Sequence, residues 1–402
     1  MRKKVFRNDF YGRGMTNTQE IRPFQIAIDE AELADLKFRL EHTRRPRPVP
    51  GDADDWSRGI PGGYLYDLAE YWRTSYDWRK AEQELNRFPQ YTTEIDGQVI
   101  HFFHVRSPEP DATPLLITHG YPGSAVEFLH LLGPLSDPVA HGGQAADAFH
   151  VVVPSLPGFG FSTPLSGGGW ELGRTTAAFA ELMTRLGYER FAAQGGDIGA
   201  GITGHLGATV PDRVIGTHIN SDRGTLALAG EFVPLPDDLD EQDLAVVQEA
   251  KAAWQAGRGY LDLQNHTPDT IAAALTDSPV AQLAWIAEKF QLWTDPAKSP
   301  EESVDRDQLL TLVSIYWFCR AGASAARFLY EAAHSDLGWG AKSSVPAGWA
   351  VFNSSPVVRR VADPERQIGY WSDFTEGGHF PAMECGDLLV EDVRAFFRTL
   401  AR

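Results

Sequence analysis

The middle of the chain, from about residue 114 to residue 220, alternates short apolar runs with segments of helical periodicity. Four of these runs are mostly apolar and end at or before a glycine, a proline or a polar residue: 115–118, 150–153, 191–194 and 214–219. Helical windows lie between them, such as 174–186 and 199–206. Strands buried on both faces are apolar throughout, and strands that alternate with helices form mostly parallel sheets. The pattern therefore predicts an α/β fold built on a parallel sheet.

The segment that precedes this region is helical and rich in aromatic residues. IDEAELADLKFRL repeats leucine at helical spacing, and Asp29 near its start is a candidate N-cap. Further on, YTTEIDGQVIHFFHV places Asp96 and Gly97 between two apolar runs. That dipeptide between apolar runs favours a tight turn, so a β-hairpin is predicted here.

The alternation stops after Asn220. The following stretch is mostly helical and has no clear strand, and then two more strands are predicted at 349–352 and 368–374, before a final amphipathic helix at 388–400. A helical insertion that splits an α/β sheet is expected to cover the carboxyl ends of its strands, where such sheets bind ligands. The predicted organisation is a disordered leader (1–20), an N-terminal extension (21–112), a first core segment (113–223), a helical cap (224–343) and a second core segment (344–402).

The motif QGGDIGAG at residues 194–201 carries the clearest chemical signal. Gly195 and Gly199 flank Asp197 by two residues on either side, after a predicted strand and before a predicted helix. This is the spacing of a nucleophile elbow, with aspartate in place of serine. An aspartate there can displace a leaving group at carbon and form an alkyl ester. The same residues also fit a helix that begins after a glycine-rich turn with Asp197 as its N-cap.

Two further motifs follow predicted strands in the order that this kind of site requires. His119-Gly120-Tyr121-Pro122 comes directly after the strand at 115–118, where a backbone N–H of the loop can contribute to an oxyanion hole. The candidate donors are the N–H groups of Tyr121 and Ile198. Gly377-Gly378-His379-Phe380 follows the last predicted strand, which makes His379 the candidate general base.

Charge and composition exclude several classes of function. The 402 residues include 36 basic and 54 acidic side chains, for a formal net charge of −18, without a basic stripe. Nucleic acids and anionic membrane surfaces are therefore unsuitable partners. The two cysteines lack metal-ligand spacing, and no segment has the composition of a signal peptide or a membrane helix. We predict a protein of the reduced cytoplasm.

These motifs resemble those of the α/β-hydrolase-fold epoxide hydrolases of the microsomal type, including their N-terminal extension. The similarity covers nearly everything from Arg22 onward and includes RPFQIAIDEAELADLKFRL, ITHGYPGSAVEFL, VVPSLPGFGFS, AQGGDIGA, DSPVAQLAWIAEKF and EGGHFPAMECGDLL. It implies a mostly parallel eight-stranded sheet flanked by helices, with a helical cap and an N-terminal meander. Soluble bacterial members linked to secondary metabolism, such as those of enediyne antibiotic biosynthesis, look most similar, and no membrane anchor is expected.

The resemblance implies a two-step mechanism without a metal or another cofactor. Asp197 attacks an epoxide carbon to form a covalent ester, and water activated by His379 hydrolyses that ester. Two tyrosines of the cap protonate the epoxide oxygen in this family, and Tyr260 and Tyr330 match their places. A phenol is neutral at pH 7 and suits an emerging alkoxide. Either tyrosine could instead serve cap packing.

The chain departs from the family in the acid that partners the histidine. The family places Asp or Glu after the penultimate strand, whereas this chain has Val351-Phe352-Asn353-Ser354-Ser355-Pro356. Some related hydrolases carry the acid after an earlier strand, where this chain has Asp222. Asp363 is a second candidate, although its surroundings suggest an N-cap. A third possibility is that Asn353 or a serine holds the imidazole.

Other functions remain compatible with the sequence. A haloalkane dehalogenase shares the aspartate nucleophile, but it usually has a tryptophan N–H donor directly after that residue, where this chain has Ile198. A binding protein without catalysis would explain the missing acid. The expected partners are an apolar, possibly aromatic small-molecule epoxide and water, and the resemblance makes a homodimer plausible. Candidate substrate contacts are Trp285, Trp317 and Phe159.

Overall fold

The computed structural model describes residues 20–47, 55–230, 233–338 and 342–400. Apart from Glu20, the leader predicted for residues 1–20 lies outside the described residues. The described strands form one sheet. They are β1 (Arg22–Phe24), β2 (Gln90–Ile95), β3 (Gln98–Val105), β4 (Thr113–Thr118), β5 (Phe149–Pro154), β6 (Phe191–Gly195), β7 (Val214–Asp222), β8 (Ala347–Phe352) and β9 (Tyr370–Asp373).

The sheet joins an antiparallel meander to a parallel core. Its strand order is β1-β2-β3-β5-β4-β6-β7-β8-β9, and only the pairs on the β1 side of β5 are antiparallel. Leu115 of β4 lies opposite Val151 of β5 on one side and Ala192 of β6 on the other. The strand order thus reverses around β4. The carboxyl ends of the strands beside such a reversal are where open α/β sheets bind ligands.

The sheet has nine strands in the described residues, whereas the sequence analysis predicts eight. The additional strand is β1, which pairs antiparallel with β2 and places Arg22 opposite Thr92. Three residues with Pro23 in the centre show neither an alternating nor a continuously apolar pattern, so this strand has no clear sequence signal. Proline is tolerated there because β1 lies at the edge of the sheet.

Helices cover both faces of the sheet and form the cap. The described α-helices are α1 (Glu30–Glu41), α2 (Gly62–Thr74), α3 (Trp78–Leu85), α4 (Leu129–Ser136), α5 (Leu172–Arg185), α6 (Ile198–Thr209), α7 (Glu241–Gly257), α8 (Gly259–His266), α9 (Pro268–Asp277), α10 (Pro279–Trp293), α11 (Pro300–Ser303), α12 (Arg306–Phe318), α13 (Ala321–Ala333), α14 (Pro356–Ala362), α15 (Pro381–Glu384) and α16 (Gly386–Leu400). Short 3₁₀ helices span Ala125–Phe128, Val139–His141, Ala145–Asp147 and Arg223–Leu228.

Each face of the parallel strands carries its own hydrophobic core. Leu116 packs in one core together with Phe179 of α5. Its neighbour Leu115 packs in the other core, with Phe396 of α16. Neighbouring residues alternate between the cores because successive side chains of a strand point to opposite faces. Burial on both faces explains why the sequences of these strands are mostly apolar and show no regular alternation with polar residues.

The N-terminal extension is bound to the cap by polar contacts as well as by packing. Trp72 of α2 is buried and donates its indole N–H to Ser314 of α12 at 3.0 Å. One position earlier, Tyr71 donates its hydroxyl to Asp307 at 2.9 Å. Buried hydrogen bonds of this kind fix the orientation of a helix as well as its position. The extension therefore orients α12, which reaches the site described below.

No single helix in the described residues is both long enough and apolar enough to cross a membrane. Taken together, α12 and α13 meet the length and composition criteria, but they are bent by 84° relative to each other.

Candidate active site

Asp197 lies on a strained turn between β6 and α6. Its backbone has φ 54° and ψ −125°, which is unusual for a residue with a side chain. The turn is tight enough that a Cβ at Gly199 would lie 1.9 Å from the carbonyl oxygen of Thr118. Asp197 makes no side-chain capping bond to α6, so the N-cap alternative is not supported. The strained strand-to-helix turn has the form of a nucleophile elbow.

A backbone N–H group binds one oxygen of the Asp197 carboxylate. Tyr121 donates its N–H to Oδ1 at 2.8 Å, and the neighbouring N–H of Ile198 also helps to lower the pKa of the carboxylate. Burial favours the neutral acid, but the contact with His379 and these two N–H groups outweigh it, and the pKa of Asp197 is lowered. The two predicted oxyanion donors thus meet at the nucleophile.

A buried histidine holds the loop that supplies the Tyr121 N–H. Leu156 donates its N–H to His119 Nε2 at 3.1 Å, so the proton of the ring is on Nδ1, which donates to Gly120 O at 2.9 Å. Burial lowers the pKa of His119 to about 4 and keeps the ring neutral. A fixed tautomer with both nitrogens bonded keeps this loop in place.

The imidazole of His379 lies between two carboxylates. Its Nδ1 is 2.8 Å from Asp222 Oδ2, and its Nε2 is 3.5 Å from Asp197 Oδ2. Burial opposes the charged ring, but the two carboxylates outweigh it and raise the pKa of His379 well above its ordinary value. Asp222 ends β7, and its other oxygen accepts the N–H of Gly224 in the following 3₁₀ helix.

The other candidate partners of His379 have different roles. Asp363 follows the C-terminus of α14, not the start of a helix, and it accepts the N–H of Gln367 at 2.7 Å. Asn353 has φ 43° and donates its backbone N–H to Glu376 O. Of the three alternatives raised by the sequence, the structure places Asp222 beside the ring.

The end of α10 holds the loop that carries His379. The backbone N–H of His379 donates to Trp293 O at 2.7 Å. The Trp293 ring lies 5.1 Å from the His379 ring and 5.3 Å from the Tyr260 ring, measured between centroids. Trp293 therefore connects the cap to the histidine, a role that its sequence position does not reveal.

Tyr260 of α8 packs against the loop that binds the Asp197 carboxylate. Its ring stacks on that of Tyr121, with centroids 5.8 Å apart and planes 6° from parallel. Burial and, secondly, the charge of Asp197 raise the pKa of Tyr260 well above its ordinary value, so the phenol keeps its proton. On the cap side, Lys289 Nζ lies 4.4 Å from the centre of the Tyr260 ring.

The structure does not bring Tyr330 to this group, and Tyr316 takes that place. The ring contact of Tyr330 in the described part of the chain is with His334, one turn further on, at 4.1 Å between centroids. Tyr316 of α12 is fully buried and donates its hydroxyl to Gly123 O at 3.0 Å. Burial raises the pKa of Tyr316 well above its ordinary value, and the Asp197 charge acts in the same direction.

The three aromatic residues predicted to bind substrate have different surroundings. Trp285 is partly exposed and donates its indole N–H to the Tyr121 hydroxyl at 2.5 Å. Phe159 is fully buried, so it supports the rings of Tyr121 and Tyr316 and has no surface free for a ligand.

The prediction for Trp317 is also wrong. Its ring is buried and lies under the guanidinium of Arg39 on α1. Adjacent residues of an α-helix point about 100° apart. Because Tyr316 points toward the nucleophile, Trp317 points toward the N-terminal extension.

Asp197 and His379 line a small cavity deep in the protein. Their side chains keep 29% and 23% of their surfaces free, although both lie below the cap. The cavity measures about 20 Å³, and Glu127 and Gly123 also line it. A space of this size accommodates one water molecule.

No metal cluster is formed by the described residues. In the four described ranges, no group of three or more His, Cys, Asp and Glu side chains could hold a metal ion. The ionisable groups of the cavity instead contact one another and backbone N–H groups, an arrangement suited to nucleophilic and acid–base chemistry.

Comparison with known proteins agrees with this geometry. The family model for the epoxide hydrolase N terminus matches residues 21–128, and the model for the α/β-hydrolase fold matches residues 113–276. A Stigmatella aurantiaca protein provisionally named as an epoxide hydrolase is 45% identical over 94% of this chain and 85% of its own length. Epoxide hydrolase 1 of Sus scrofa is 34% identical over 95% of this chain and 89% of its own. The chain belongs to the epoxide hydrolase family.

Solved structures place this epoxide hydrolase among enzymes of the same architecture. The Aspergillus niger epoxide hydrolase has a TM-score of 0.79 and 30% identity, covering 95% of this chain and 97% of that one. Juvenile hormone epoxide hydrolase from Bombyx mori has a TM-score of 0.78 and 28% identity, covering 95% and 94%. The predicted α/β-hydrolase fold is thereby confirmed.

Proposed function

We propose that the enzyme opens epoxides through a covalent ester on Asp197 and hydrolyses that ester to release a vicinal diol. The observation that carries this proposal is that the two oxygens of the Asp197 carboxylate have different contacts. Oδ1 is bound by the N–H of Tyr121, whereas Oδ2 is 3.5 Å from His379 Nε2. One oxygen is thus held where negative charge will develop, and the other is free to form a bond.

Ring opening is the first step. Asp197 Oδ2 attacks an epoxide carbon, the carbon–oxygen bond of the ring breaks, and the electron pair goes to the epoxide oxygen. That oxygen takes a proton from a phenol of the cap. Tyr260 and Tyr316 are the proposed donors because burial, partial for Tyr260 and complete for Tyr316, and the charge of Asp197 raise both pKa values and keep both phenols protonated at neutral pH. Tyr316 must turn its O–H away from Gly123 O to donate it.

Ester hydrolysis is the second step. Neutral His379 takes a proton from water, which attacks the carboxyl carbon of the ester. Negative charge then develops on Oδ1, where the N–H groups of Tyr121 and Ile198 stabilise it. Asp222 keeps the imidazole oriented and stabilises its cation. Collapse of the tetrahedral intermediate releases the diol and restores the carboxylate.

The neighbours of Asp197 favour an epoxide over a haloalkane. The residue after the nucleophile is Ile198, which has no side-chain donor for a halide. The indole N–H of Trp285 already donates to the Tyr121 hydroxyl. Phenols of high pKa suit an oxygen leaving group, which must be protonated, better than a halide, which leaves as a stable anion. The rings of Trp285, Trp293 and Tyr260 favour an apolar epoxide, including aromatic ones such as styrene oxide.

Trapping the intermediate tests this function. The His379→Gln variant should form the ester with styrene oxide and fail to hydrolyse it, so the intact mass should rise by one epoxide. Asp197→Ala is the matched control and should gain no mass. A His379→Gln variant without an adduct, next to a wild-type protein that makes diol, would exclude the two-step assignment. Chloride release from haloalkanes without epoxide turnover would select the dehalogenase.

A further inference from the structure

Glu127 is an ionisable group of the cavity to which the mechanism above gives no role. It lies in the 3₁₀ helix Ala125–Phe128, shortly after the loop that donates the Tyr121 N–H. Its side chain is half-buried and lines the cavity together with Asp197 and His379. The charges of both residues affect its pKa, so the three groups are electrostatic neighbours. The backbone N–H of Ser124 acts in the opposite direction to burial and lowers the pKa of the Glu127 carboxyl group.

Gly123 brings Glu127 and Tyr316 together. A Cβ at Gly123 would lie 2.1 Å from Glu127 Oε2, so the carboxyl group occupies the space that the missing side chain leaves. On the other side, Tyr316 donates its hydroxyl to the carbonyl oxygen of Gly123 at 3.0 Å. Glu127 also contributes to the raised pKa of Tyr316. Glu127 therefore lines the cavity of His379 and also adjoins the residue whose carbonyl oxygen binds Tyr316, a proposed proton donor.

The two chemical steps require one proton to move from His379 to the phenolate between them. Between two carboxylates, His379 is protonated in the free enzyme. Ring opening takes a proton from a phenol and leaves a phenolate. Hydrolysis then requires a neutral imidazole. One proton must pass from His379 to the phenolate before water can be activated.

We propose that Glu127 is a proton relay that transfers this proton from His379 to Tyr316 after the nucleophile is alkylated. The inference rests on the proposed function, because it needs the ester on Asp197 and the phenol as donor. The carboxylic acid gives its proton to the Tyr316 phenolate and becomes a carboxylate. It then receives the proton of the imidazolium, through one water molecule in the cavity. The products are a neutral phenol, a neutral acid and a neutral imidazole, with no net gain or loss of protons.

The surroundings of Glu127 suit this role. Burial raises its pKa to about 8, so the acid holds a proton to give at neutral pH. The His379 cation lowers that pKa and the Asp197 anion raises it. Alkylation removes the anion, so the carboxylate becomes easier to form at the moment when the relay needs it. The other titratable groups here are Tyr316 beside Glu127, and Asp222 and Glu384 beside His379.

The Glu127→Gln variant separates a relay from a structural role. Glutamine keeps the size and hydrogen bonding of the side chain but cannot be deprotonated. The rate of ester formation, measured by rapid mixing and intact mass, should stay within about threefold of the wild-type rate. Ester hydrolysis should slow by at least about tenfold, within the range of one acid–base group. In the variant, hydrolysis should accelerate with buffer concentration and with pH, because solution bases then remove the imidazolium proton.

A second variant displaces the carboxyl group without removing it. Gly123→Ala places a methyl group where Oε2 lies, so it should slow hydrolysis as Glu127→Gln does. Unchanged hydrolysis in Glu127→Gln, or an equal loss in both steps, would overturn the relay. A wild-type enzyme that forms ester and diol alongside such a variant leaves the proposed function standing. A wild-type enzyme that forms no ester with any epoxide removes both.

Discussion

His379 Nδ1 lies 2.8 Å from Asp222 Oδ2, and Asp222 ends β7, the third strand from the β9 edge of the sheet. Asp222→Asn should therefore slow ester hydrolysis much more than ester formation. The corresponding change in a serine protease costs about 10⁴ in rate, and a loss of about 10² to 10⁴ is expected here. Rapid-quench measurement of both steps checks this result.

Asp363→Asn is the matched control for this change. Asp363 is a buried carboxylate too far from His379 to bond to it: it accepts the N–H of Gln367 and lies 3.8 Å from Arg359 Nε. This variant should retain both rates per folded molecule. An Asp222→Asn enzyme as fast as wild type would remove Asp222 from the catalytic group.

Tyr316→Phe and Tyr330→Phe should behave differently. Loss of a phenol proton donor should slow ester formation by about 10² because the epoxide oxygen then leaves as an alkoxide. Tyr330 contacts His334 outside the cavity, so its variant should form ester at the wild-type rate. Single-turnover kinetics with one epoxide compare the two. If ester formation were slow in Tyr330→Phe and as fast as wild type in Tyr316→Phe, Tyr330 and not Tyr316 would be the proton donor.

The titration of His379 should depend on Asp197. Both carboxylates raise the pKa of His379, so the His379 ring should titrate at lower pH in the isosteric Asp197→Asn variant than in the wild-type protein. Because the pKa of His379 is higher in the folded than in the unfolded protein, protonation of the ring stabilises the fold. This stabilisation is complete at pH values below the unfolded-state pKa of about 6.5. That stabilisation is lost as pH rises through the higher folded-state pKa. NMR titration of the ring in both proteins checks the shift, and identical curves would show that Asp197 does not act on it.

The elbow should tolerate no side chain at Gly199. A Cβ there meets Thr118 O at 1.9 Å, so Gly199→Ala should destabilise the fold by about 3 kcal/mol. Gly204→Ala lies in the same helix with no atom within 4 Å of its Cβ, and should stabilise by about 0.5–1 kcal/mol. Denaturant unfolding of both variants provides the comparison. Similar free energies of unfolding would contradict the tight turn.

The local features of the site could be predicted because each depends on a short segment. The turn at Asp197 and the loop at Tyr121 have their glycines and prolines at fixed offsets from apolar strands. The adjacency of parallel strands then brings them together at one edge of the sheet. Sequence spacing alone is enough for this step.

The remaining features depend on side-chain direction. The ring of His379 is reached by the carboxylate at the end of β7, and only the packing of the strands shows that Asp222, and not Asp363 or Asn353, lies there. Tyr316 and Trp317 are neighbours in an apolar helix, and only the packing of α12 decides which points toward Asp197. Glu127 gives no sequence signal, because its importance depends on the missing side chain of Gly123.

A single-turnover experiment in H₂¹⁸O tests the covalent ester most directly. With enzyme in excess over epoxide, water attacks the carboxyl carbon, so the oxygen added to the diol comes from Asp197. Mass spectrometry should find ¹⁸O in the peptide that contains Asp197 and unlabelled oxygen in the diol of the first turnover. Label in that diol, with none in the peptide, would mean that water attacks the epoxide directly and would contradict the account.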